Sequence, residues 1–337
     1  MDKKPILTIR HLKTSFFTDD GEIPAVDDIS FHVYPGEVVG IVGESGCGKS
    51  VTSLSIMKLV PNPPGKIVSG HILLHDEDLV SASEKRMRQI RGNEMAMIFQ
   101  EPMTSLNPLF TIGNQLMEAV RIHRKWPKKK IYDRCLEMLR LVGLPRVEEL
   151  MNSYPHELSG GMRQRIMIAM ALVCDPKVLI ADEPTTALDV TIQAQILQLM
   201  KDLNKKLETA ILLITHDLGV VSQVCERVIV MYAGKIVEEG NVKTIFQNPK
   251  HPYTKGLLSS IPDIRHKKER LYSIPGNVPK PGSVRTGCRF YSRCTVRENS
   301  CLHQDPPYVP VDENHHVRCW LSVKGGEMNE NASIASQ

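Results

Sequence analysis

The chain has 337 residues, a formal net charge of +4, and 42% hydrophobic and 24% charged residues. These fractions are those of a globular protein of about two domains, and they exclude disordered and fibrous classes. The charge is too small to indicate nucleic acid as a partner. No apolar run approaches the ~18 residues that a membrane span needs, and no secretory signal opens the sequence. We therefore expect a cytosolic protein, or one held at a membrane by a partner.

The first part of the chain predicts strands that lead into a phosphate-binding loop. The strands and the helix that follows the loop are expected at residues 6–9, 29–33, 38–42 and 51–60. The loop itself reads Gly43-Glu44-Ser45-Gly46-Cys47-Gly48-Lys49-Ser50. Strand, glycine loop and helix in this order direct backbone N–H groups at one small volume suited to a polyphosphate. Lys49 is expected to reach the terminal phosphates, and the Ser50 hydroxyl to bind Mg²⁺.

Two adjacent aromatic residues, Phe16 and Phe17, lie just ahead of a predicted turn at residues 19–21. Aromatic side chains of this kind are commonly core residues. They also offer a flat face on which a nucleotide base stacks. Both interpretations stay open.

Further along, apolar segments alternate between strand and helix patterns. Strands are expected at residues 70–74, 95–99, 178–181, 211–215 and 228–232. Helices are expected at residues 83–91, 112–123, 129–142 and 191–206. This alternation predicts a mostly parallel sheet with helices on both faces.

Polar side chains follow the ends of several predicted strands. They are Gln100, Asp182, Glu183 and His216. Because ligands of such sheets bind at the carboxyl ends of the strands, these side chains should converge on the glycine loop. Asp182 is expected to hold Mg²⁺, directly or through water, and Glu183 to orient and deprotonate an attacking water. Gln100 could bridge metal and water, and His216 could donate to the γ-phosphate, although a single Gln or His after a strand is more often a structural residue.

A separate helix is predicted to begin at Ser159. Its hydroxyl is suited to cap the helix, and Gly160 and Gly161 occupy the first turn. Glycines weaken a helix, so their presence indicates that another group approaches the backbone closely. This helix N-terminus is therefore a second candidate anion site.

Four of the eight cysteines crowd near the C-terminus, where the chain beyond residue 248 is rich in proline, glycine and polar residues. They are spaced as Cys288-x₅-Cys294-x₆-Cys301-x₁₇-Cys319. Two disulfides are disfavoured in a cytosolic protein. The thiolates could hold Zn²⁺ or an iron–sulfur cluster, and the wide gaps depart from the C-x₂₋₄-C pairs typical of zinc sites.

Taken together, these motifs resemble the ATPase subunit of ABC transporters over residues 5–245. The resemblance rests on the glycine loop, Gln100, Leu158-Ser159-Gly160-Gly161-Met162, residues 178–183, Ala187-Leu188-Asp189 and His216. The Leu-Ser-Gly-Gly segment distinguishes this family from other P-loop proteins. Residues 100–108 and the segment beginning His251-Pro252-Tyr253 are similar to the oligopeptide/dipeptide/nickel importer branch.

The resemblance implies an α/β P-loop NTPase fold with a mostly parallel sheet core, an antiparallel β subdomain, a helical subdomain and a small irregular Cys-rich extension. The ATPase domain would span residues 1–247, with the helical subdomain inserted at about 101–175. The extension would span 248–323, and residues 324–337 would form a disordered tail. By the same resemblance, a [4Fe–4S] cluster is favoured at the four cysteines, with Zn²⁺ as the alternative.

It also implies a head-to-tail pair of ATPase subunits with ATP between them. One subunit would contribute Phe16 against adenine, Gln100, Asp182, Glu183, His216 and the loop from Gly43 through Ser50 to Val51. The partner would contribute Ser159, Gly160, Gly161 and Asp189, the last of which belongs to a loop that couples the two sites. Mg²⁺ would be held by Ser50, Gln100 and Asp182.

The implied function is that of the ATP-hydrolysing motor of a bacterial peptide importer at the cytoplasmic face of the inner membrane. Its partners would be a second, paralogous ATPase subunit, two permease subunits gripped by residues 101–150, and an extracytoplasmic solute-binding protein. The alternatives are an importer of nickel or another small solute, a soluble ABC ATPase, and a nucleotide-responsive regulator.

Overall fold

Two β-sheets organise the computed structural model, which describes residues 4–100, 105–186, 189–261, 272–284 and 286–323. The first sheet is antiparallel and consists of β1 (Leu7–Thr18), β2 (Gly21–Val33), β4 (Gly65–Leu74) and β5 (Glu77–Asp78). Its strand order is β2-β1-β4-β5. The turn predicted at residues 19–21 joins β1 to β2, so Phe16 and Phe17 lie at the end of β1.

The second sheet contains a parallel core of five strands. They are β3 (Val38–Val42), β6 (Met95–Ile98), β7 (Val178–Asp182), β8 (Ala210–Thr215) and β9 (Arg227–Tyr232). Their order is β9-β3-β8-β7-β6, with each neighbouring pair parallel. Every residue of β3, β7, β8 and β9 is buried, as expected for strands covered on both faces. The predicted α/β architecture is therefore confirmed.

Three antiparallel strands extend this sheet beyond β9. They are β10 (Lys235–Asn241), β11 (Tyr308–Asp312) and β12 (His315–Arg318), in the order β11-β12-β10-β9. The extension predicted to be irregular therefore contributes a hairpin to the main sheet. Pro310 lies in the outermost strand, where a missing N–H is tolerated. The predicted division into two domains at residue 247 stays a prediction. Strands from both sides of that residue pair in one sheet.

The helices lie between and around these strands. They are α1 (Lys49–Ile56), α2 (Glu84–Ile90), α3 (Ile112–His123), α4 (Lys128–Leu141), α5 (Val147–Leu150), α6 (Gly160–Leu172), α7 (Val190–Leu207), α8 (Leu218–Val224), α9 (Val242–Gln247), α10 (Pro252–Ser259) and α11 (Ser300–His303). None of the described helices combines the length and apolar character that crossing a bilayer requires. The predicted tail, 324–337, lies outside the described residues.

Helix α1 is shorter than the sequence pattern predicts, because it ends in a Schellman motif. The Leu59 N–H donates to the Leu54 carbonyl at 2.7 Å, and the Lys58 N–H donates to the Ser55 carbonyl at 2.9 Å. Lys58 takes the left-handed conformation, with φ of 51°. Glycine usually fills this position, so a lysine there gave no stop signal in the sequence.

Three hydrophobic cores hold these layers together. One lies between the helices α3 to α7 and the main sheet, and a second fills the space between the two sheets. The third packs the C-terminal extension on β9 through three aromatic rings. The ring of Tyr232 lies 4.6 Å from that of Tyr253 and 5.1 Å from that of Phe290. The extension therefore shares a core with the strand next to β3.

Candidate active site

The glycine loop at residues 43–48 adopts a conformation that requires glycine at two of its positions. Gly43 has φ of 154°, and a Cβ there would lie 2.3 Å from the Met231 carbonyl oxygen. Gly48 has φ of 105°, and a Cβ there would lie 2.5 Å from the Ala25 carbonyl oxygen. Gly48 also precedes α1 without any side-chain cap, so the N–H groups of the first turn are not taken by a capping side chain. The loop thus presents backbone donors at a helix N-terminus.

The other residues of the loop differ in what they can touch. Lys49 is buried and donates from Nζ to the Gly43 carbonyl at 2.8 Å and to the Glu44 carbonyl at 3.2 Å. Ser45 and Gly46 are exposed and Val51 is half-buried. Cys47 is fully buried beneath the loop, and this burial raises the pKa of its thiol. The Cys47 side chain therefore packs the loop from below.

Asp182 lies at the end of β7 directly beside the start of α1. Its Oδ1 accepts from the Ser50 hydroxyl at 3.2 Å, and its Oδ2 accepts from the Ser53 hydroxyl at 3.3 Å. Burial raises the pKa of Asp182 above its ordinary value, although both hydroxyls oppose this shift. A buried carboxylate next to a hydroxyl is an oxygen-donor pair suited to Mg²⁺. Ser53 did not stand out in the sequence.

Glu183 stands at the centre of a group of polar side chains. Its carboxylate accepts from the Gln100 amide at 3.0 Å and from the Thr186 hydroxyl at 3.0 Å, and it lies 3.2 Å from His216 Nδ1. Burial raises the pKa of this carboxyl, but hydrogen bonds from His216 and Thr186 outweigh it and hold the pKa below its ordinary value. Glu183 is therefore ionised at neutral pH and able to accept a proton.

The backbone at Glu183 is itself unusual. This residue adopts φ of 48°, a left-handed conformation that non-glycine residues rarely take. The turn that follows β7 thereby directs the carboxylate toward the ends of β6 and β8. Thr186, which the sequence interpretation missed, lies three residues further along this turn.

Phe16 and Phe17 face opposite sides of β1, as neighbours in a strand must. Phe16 is half-buried, and its ring edge would lie 3.0 Å from a Cβ placed on Gly65. Phe17 is 47% exposed. Both therefore have part of a ring accessible to a ligand.

The predicted second anion site lies at the start of α6. Ser159 caps this helix by accepting from the Met162 N–H at 3.3 Å, which confirms the capping prediction. Helix α6 packs on α3, α4, α7 and β6. Asp189 caps the neighbouring α7 by accepting from the Ile192 N–H at 2.9 Å. Ala187 and Leu188, also part of the family motif, lie outside the described residues, as do residues 101–104.

The four C-terminal cysteines line one small cavity together with Phe290. All four are free thiols, and burial raises the pKa of Cys288 to about 12. Among the described residues, however, no group of three or more His, Cys, Asp or Glu side chains is arranged so that it could hold a metal ion. The predicted [4Fe–4S] or Zn²⁺ centre is therefore not confirmed, although all four cysteines line the same cavity.

Comparison with known proteins identifies the family. Residues 26–186 match the family described as ABC transporter, and residues 237–301 match the oligopeptide/dipeptide transporter C-terminal region. The oligopeptide transport ATP-binding protein AppD of Bacillus subtilis is 54% identical, over 95% of this chain and 98% of its own length. The dipeptide transport ATP-binding protein DppD of the same organism is 52% identical over 96% of both chains.

Solved structures give the same result at lower identity. The ATP-binding cassette MJ0796, a dimer in a post-hydrolysis state with ADP and Pi bound, superposes with a TM-score of 0.62 at 27% identity, over 70% of this chain and 98% of its own. The cassette cbiO1 of Clostridium perfringens superposes with a TM-score of 0.62 at 30% identity, over 73% of this chain and 92% of its own. The chain therefore belongs to the ABC transporter ATPases, in the branch that carries the oligopeptide/dipeptide transporter C-terminal region.

Proposed function

We propose that this chain is the ATP-hydrolysing motor subunit of a bacterial peptide importer. The observation that carries the proposal is the convergence of five polar side chains on the glycine loop and on the ends of neighbouring strands. They are Lys49, Ser50, Gln100, Asp182 and Glu183. The peptide substrate is supported by relatives at 50–54% identity whose names describe peptide, oligopeptide or dipeptide transport.

In this proposal the loop N–H groups and Lys49 bind the β- and γ-phosphates of ATP. Ser50, Gln100 and Asp182 hold Mg²⁺, which neutralises charge on the phosphates when it is bound. Glu183 orients the attacking water and accepts its proton as the oxygen bonds to the γ-phosphorus. The bond to the β,γ-bridging oxygen breaks, and ADP and phosphate leave. His216, beside Glu183, donates to a γ-phosphate oxygen.

The same proposal requires a second ATPase subunit. The start of α6 at residues 159–161 and the cap of α7 at Asp189 belong to a different part of the chain from the phosphate loop. A helix N-terminus favours an anion, so residues 159–161 would bind the γ-phosphate held by the partner's loop. The dimeric cassette MJ0796 supports this arrangement. We propose a paralogue as partner, by analogy with the importer branch.

We propose that the permease docks in a groove beside β6, to which Ser105 and Ala119 of the predicted segment 101–150 contribute. It has a volume of about 410 Å³ and is lined mainly by apolar side chains, among them Met57, Leu59, Met97, Phe99 and Met170. Phe99 is 45% exposed. An apolar groove of this kind accommodates an amphipathic helix, here a cytoplasmic helix of one of two permease subunits. ATP-driven closure would then move the permease, with a solute-binding protein delivering peptide from outside.

We also propose a metal centre at the four C-terminal cysteines, with a [4Fe–4S] cluster preferred over Zn²⁺. The support is chemical: four free thiols and no histidine other than His251 line one cavity. Thiolates are the preferred ligands of both metals. Iron, sulfide and zinc analysis of anaerobically purified protein decides between them. About four irons per chain would support the cluster, and about one zinc would support the alternative. Protein that contains neither metal would rule out the centre.

The experiment that tests the motor function is Glu183→Gln in the importer complex assembled with its permease subunits. Glutamine keeps the shape but loses the base, so turnover should fall at least about 100-fold while MgATP still binds. Glu226→Gln, an exposed change elsewhere on the molecule, serves as the control. Unchanged turnover in the Glu183 variant would contradict the assignment. Uptake assays with labelled peptides and with nickel then distinguish the two cargo classes.

A further inference from the structure

Glu44, the second residue of the phosphate loop, is held by two residues of the C-terminal extension. Its backbone N–H donates to the Tyr253 hydroxyl at 2.8 Å. Its carboxylate accepts two hydrogen bonds from the Arg293 guanidinium, at 2.6 Å from Nη1 and 3.0 Å from Nη2. These partners lie 209 and 249 residues away along the chain. Two residues of the extension thus hold one residue of the loop.

Both partners are fixed by their own surroundings. Tyr253 is fully buried, and its ring packs 5.4 Å from that of Phe290. The Arg293 side chain is 3% exposed, and it donates to the Pro275 and Ile274 carbonyls at 2.9 and 3.1 Å as well as to Glu44. The hydrogen bonds that Arg293 donates to the Glu44 carboxylate raise the pKa of Arg293 above its ordinary value. A bidentate pair whose guanidinium is also held by backbone carbonyls leaves little freedom of movement to the carboxylate.

We propose that Arg293 and Tyr253 are positioning residues that set the phosphate loop for nucleotide binding through Glu44. This inference rests on the proposed function, in which the loop binds ATP. Two physical effects follow from the contacts. The glycines at 43, 46 and 48 allow the loop many conformations, and fixing the Glu44 peptide reduces the entropy that ATP binding must remove.

The second effect is electrostatic. A free carboxylate in a loop that receives a triphosphate would repel it, and the Arg293 guanidinium neutralises that charge. The Glu44 N–H is also occupied by Tyr253, so Glu44 acts as an anchor of the loop while other loop N–H groups face the phosphates. Arg293 directly precedes Cys294, so the segment that lines the cysteine cavity is the same one that holds the loop.

The test is MgATP affinity of the full-length chain, measured for a set of matched variants. Arg293→Gln should weaken MgATP binding about tenfold, because it leaves an unpaired carboxylate in the loop. Adding Glu44→Gln to that variant removes the charge and should restore affinity to within about threefold of the native chain. Tyr253→Phe, which loses only the hydroxyl, should weaken binding about threefold. Arg10→Gln makes the same change at an exposed arginine outside the cysteine cavity and should have no effect.

The assembled importer supplies a readout that a merely structural role would not move. There, Arg293→Gln should raise the KM for MgATP about tenfold and change kcat less than twofold. Lys49→Ala distinguishes a failure of the ATP-site assignment from a failure of the positioning role. If it retains full affinity, the ATP site itself is wrong. If it loses affinity while Arg293→Gln and Tyr253→Phe bind normally, only the positioning role is overturned.

The double variant decides how Arg293 acts. Should the double variant bind as weakly as Arg293→Gln alone, the unpaired Glu44 carboxylate is not what weakens binding, and the electrostatic part of the proposal is overturned. Melting temperatures of all variants show which are folded. If Arg293→Gln does not fold, Tyr253→Phe decides, and unchanged affinity in that variant overturns the proposal.

Discussion

The phosphate loop and the cysteine segment were both expected from spaced residues in the sequence, but they differ in how their geometry arises. The loop spans six contiguous residues, 43–48, between a strand and a helix. Its partners Gln100, Asp182, Glu183 and His216 lie at or just beyond the ends of strands of the same sheet. Parallel pairing alone brings those ends together. Only Cys301 lies on a helix, the short α11, while the other three cysteines lie in irregular segments. Although the four share a cavity, no group of the described residues is arranged to hold a metal. Regular elements therefore make a site predictable where loops do not.

The largest effect on ATP turnover is expected from Asp182→Asn, which changes the site formed at the ends of the parallel strands. Asparagine keeps the hydrogen-bonding shape beside Ser50 and Ser53 but removes the charge that would bind Mg²⁺. ATP turnover should fall about 1,000-fold, which corresponds to about 4 kcal/mol of transition-state stabilisation. A steady-state assay over a range of Mg²⁺ concentrations measures this, with the exposed Asp202→Asn as control. Turnover within threefold of the native enzyme would contradict the assigned metal ligand.

The second prediction concerns the anchoring of the extension by His251. Burial lowers the pKa of this histidine to about 4, and its Nδ1 accepts from the Tyr253 N–H at 3.1 Å. The unfolded chain, with a histidine pKa of about 6.5, takes up the proton first as pH falls. The free energy of unfolding should therefore fall by about 3 kcal/mol between pH 7 and pH 4 because of this group.

The matched variant for that prediction is His251→Asn, whose side-chain oxygen still accepts from the Tyr253 N–H but does not titrate. Denaturant unfolding at several pH values compares the two proteins, since other groups contribute equally to both. The native chain should lose about 3 kcal/mol more than the variant over this window. Parallel curves for the two proteins would show that His251 is not a buried neutral residue.

A smaller effect is expected from a substitution in the cysteine segment, and it tests the proposed metal centre. Under the proposed metal centre, Cys301→Ser should lower bound metal at least about fourfold and reduce the free energy of unfolding by about 2 kcal/mol, because a bound metal would stabilise a segment with few apolar residues. Cys225→Ser, a change outside the cavity, should leave the metal content unchanged. Metal analysis and denaturant unfolding measure both effects. Full metal content in the Cys301 variant would remove that residue from the centre.

The smallest expected effect is at Thr186. Thr186→Val keeps the volume but removes the hydroxyl that donates to Glu183 at 3.0 Å. The pKa of Glu183 should rise slightly, so that the lower limb of the pH profile of kcat moves to higher pH, while kcat at neutral pH should change less than about twofold because Glu183 stays ionised there. Thr186→Ser should restore the profile. A profile that is identical for all three proteins would show that Thr186 does not influence the base.

What sequence reasoning missed has a common physical cause. Arg293 and Tyr253 contact Glu44 across more than 200 residues of sequence, and no local sequence pattern predicts contacts between residues so far apart. The hairpin of β11 and β12 consists of strands of five and four residues, too short to show a clear alternation. In contrast, the glycine loop and the capped start of α6 are local structures, and their residues alone specify them. The features that the sequence did not predict depend on contacts between residues far apart in the chain.

The most direct test of the whole account is a structure of the Glu183→Gln importer complex with MgATP trapped in it. The account predicts the triphosphate between the phosphate loop of one ATPase subunit and the start of α6 of the other, with Ser159 and Gly161 facing the γ-phosphate. A bound triphosphate with that helix N-terminus turned toward solvent would contradict it.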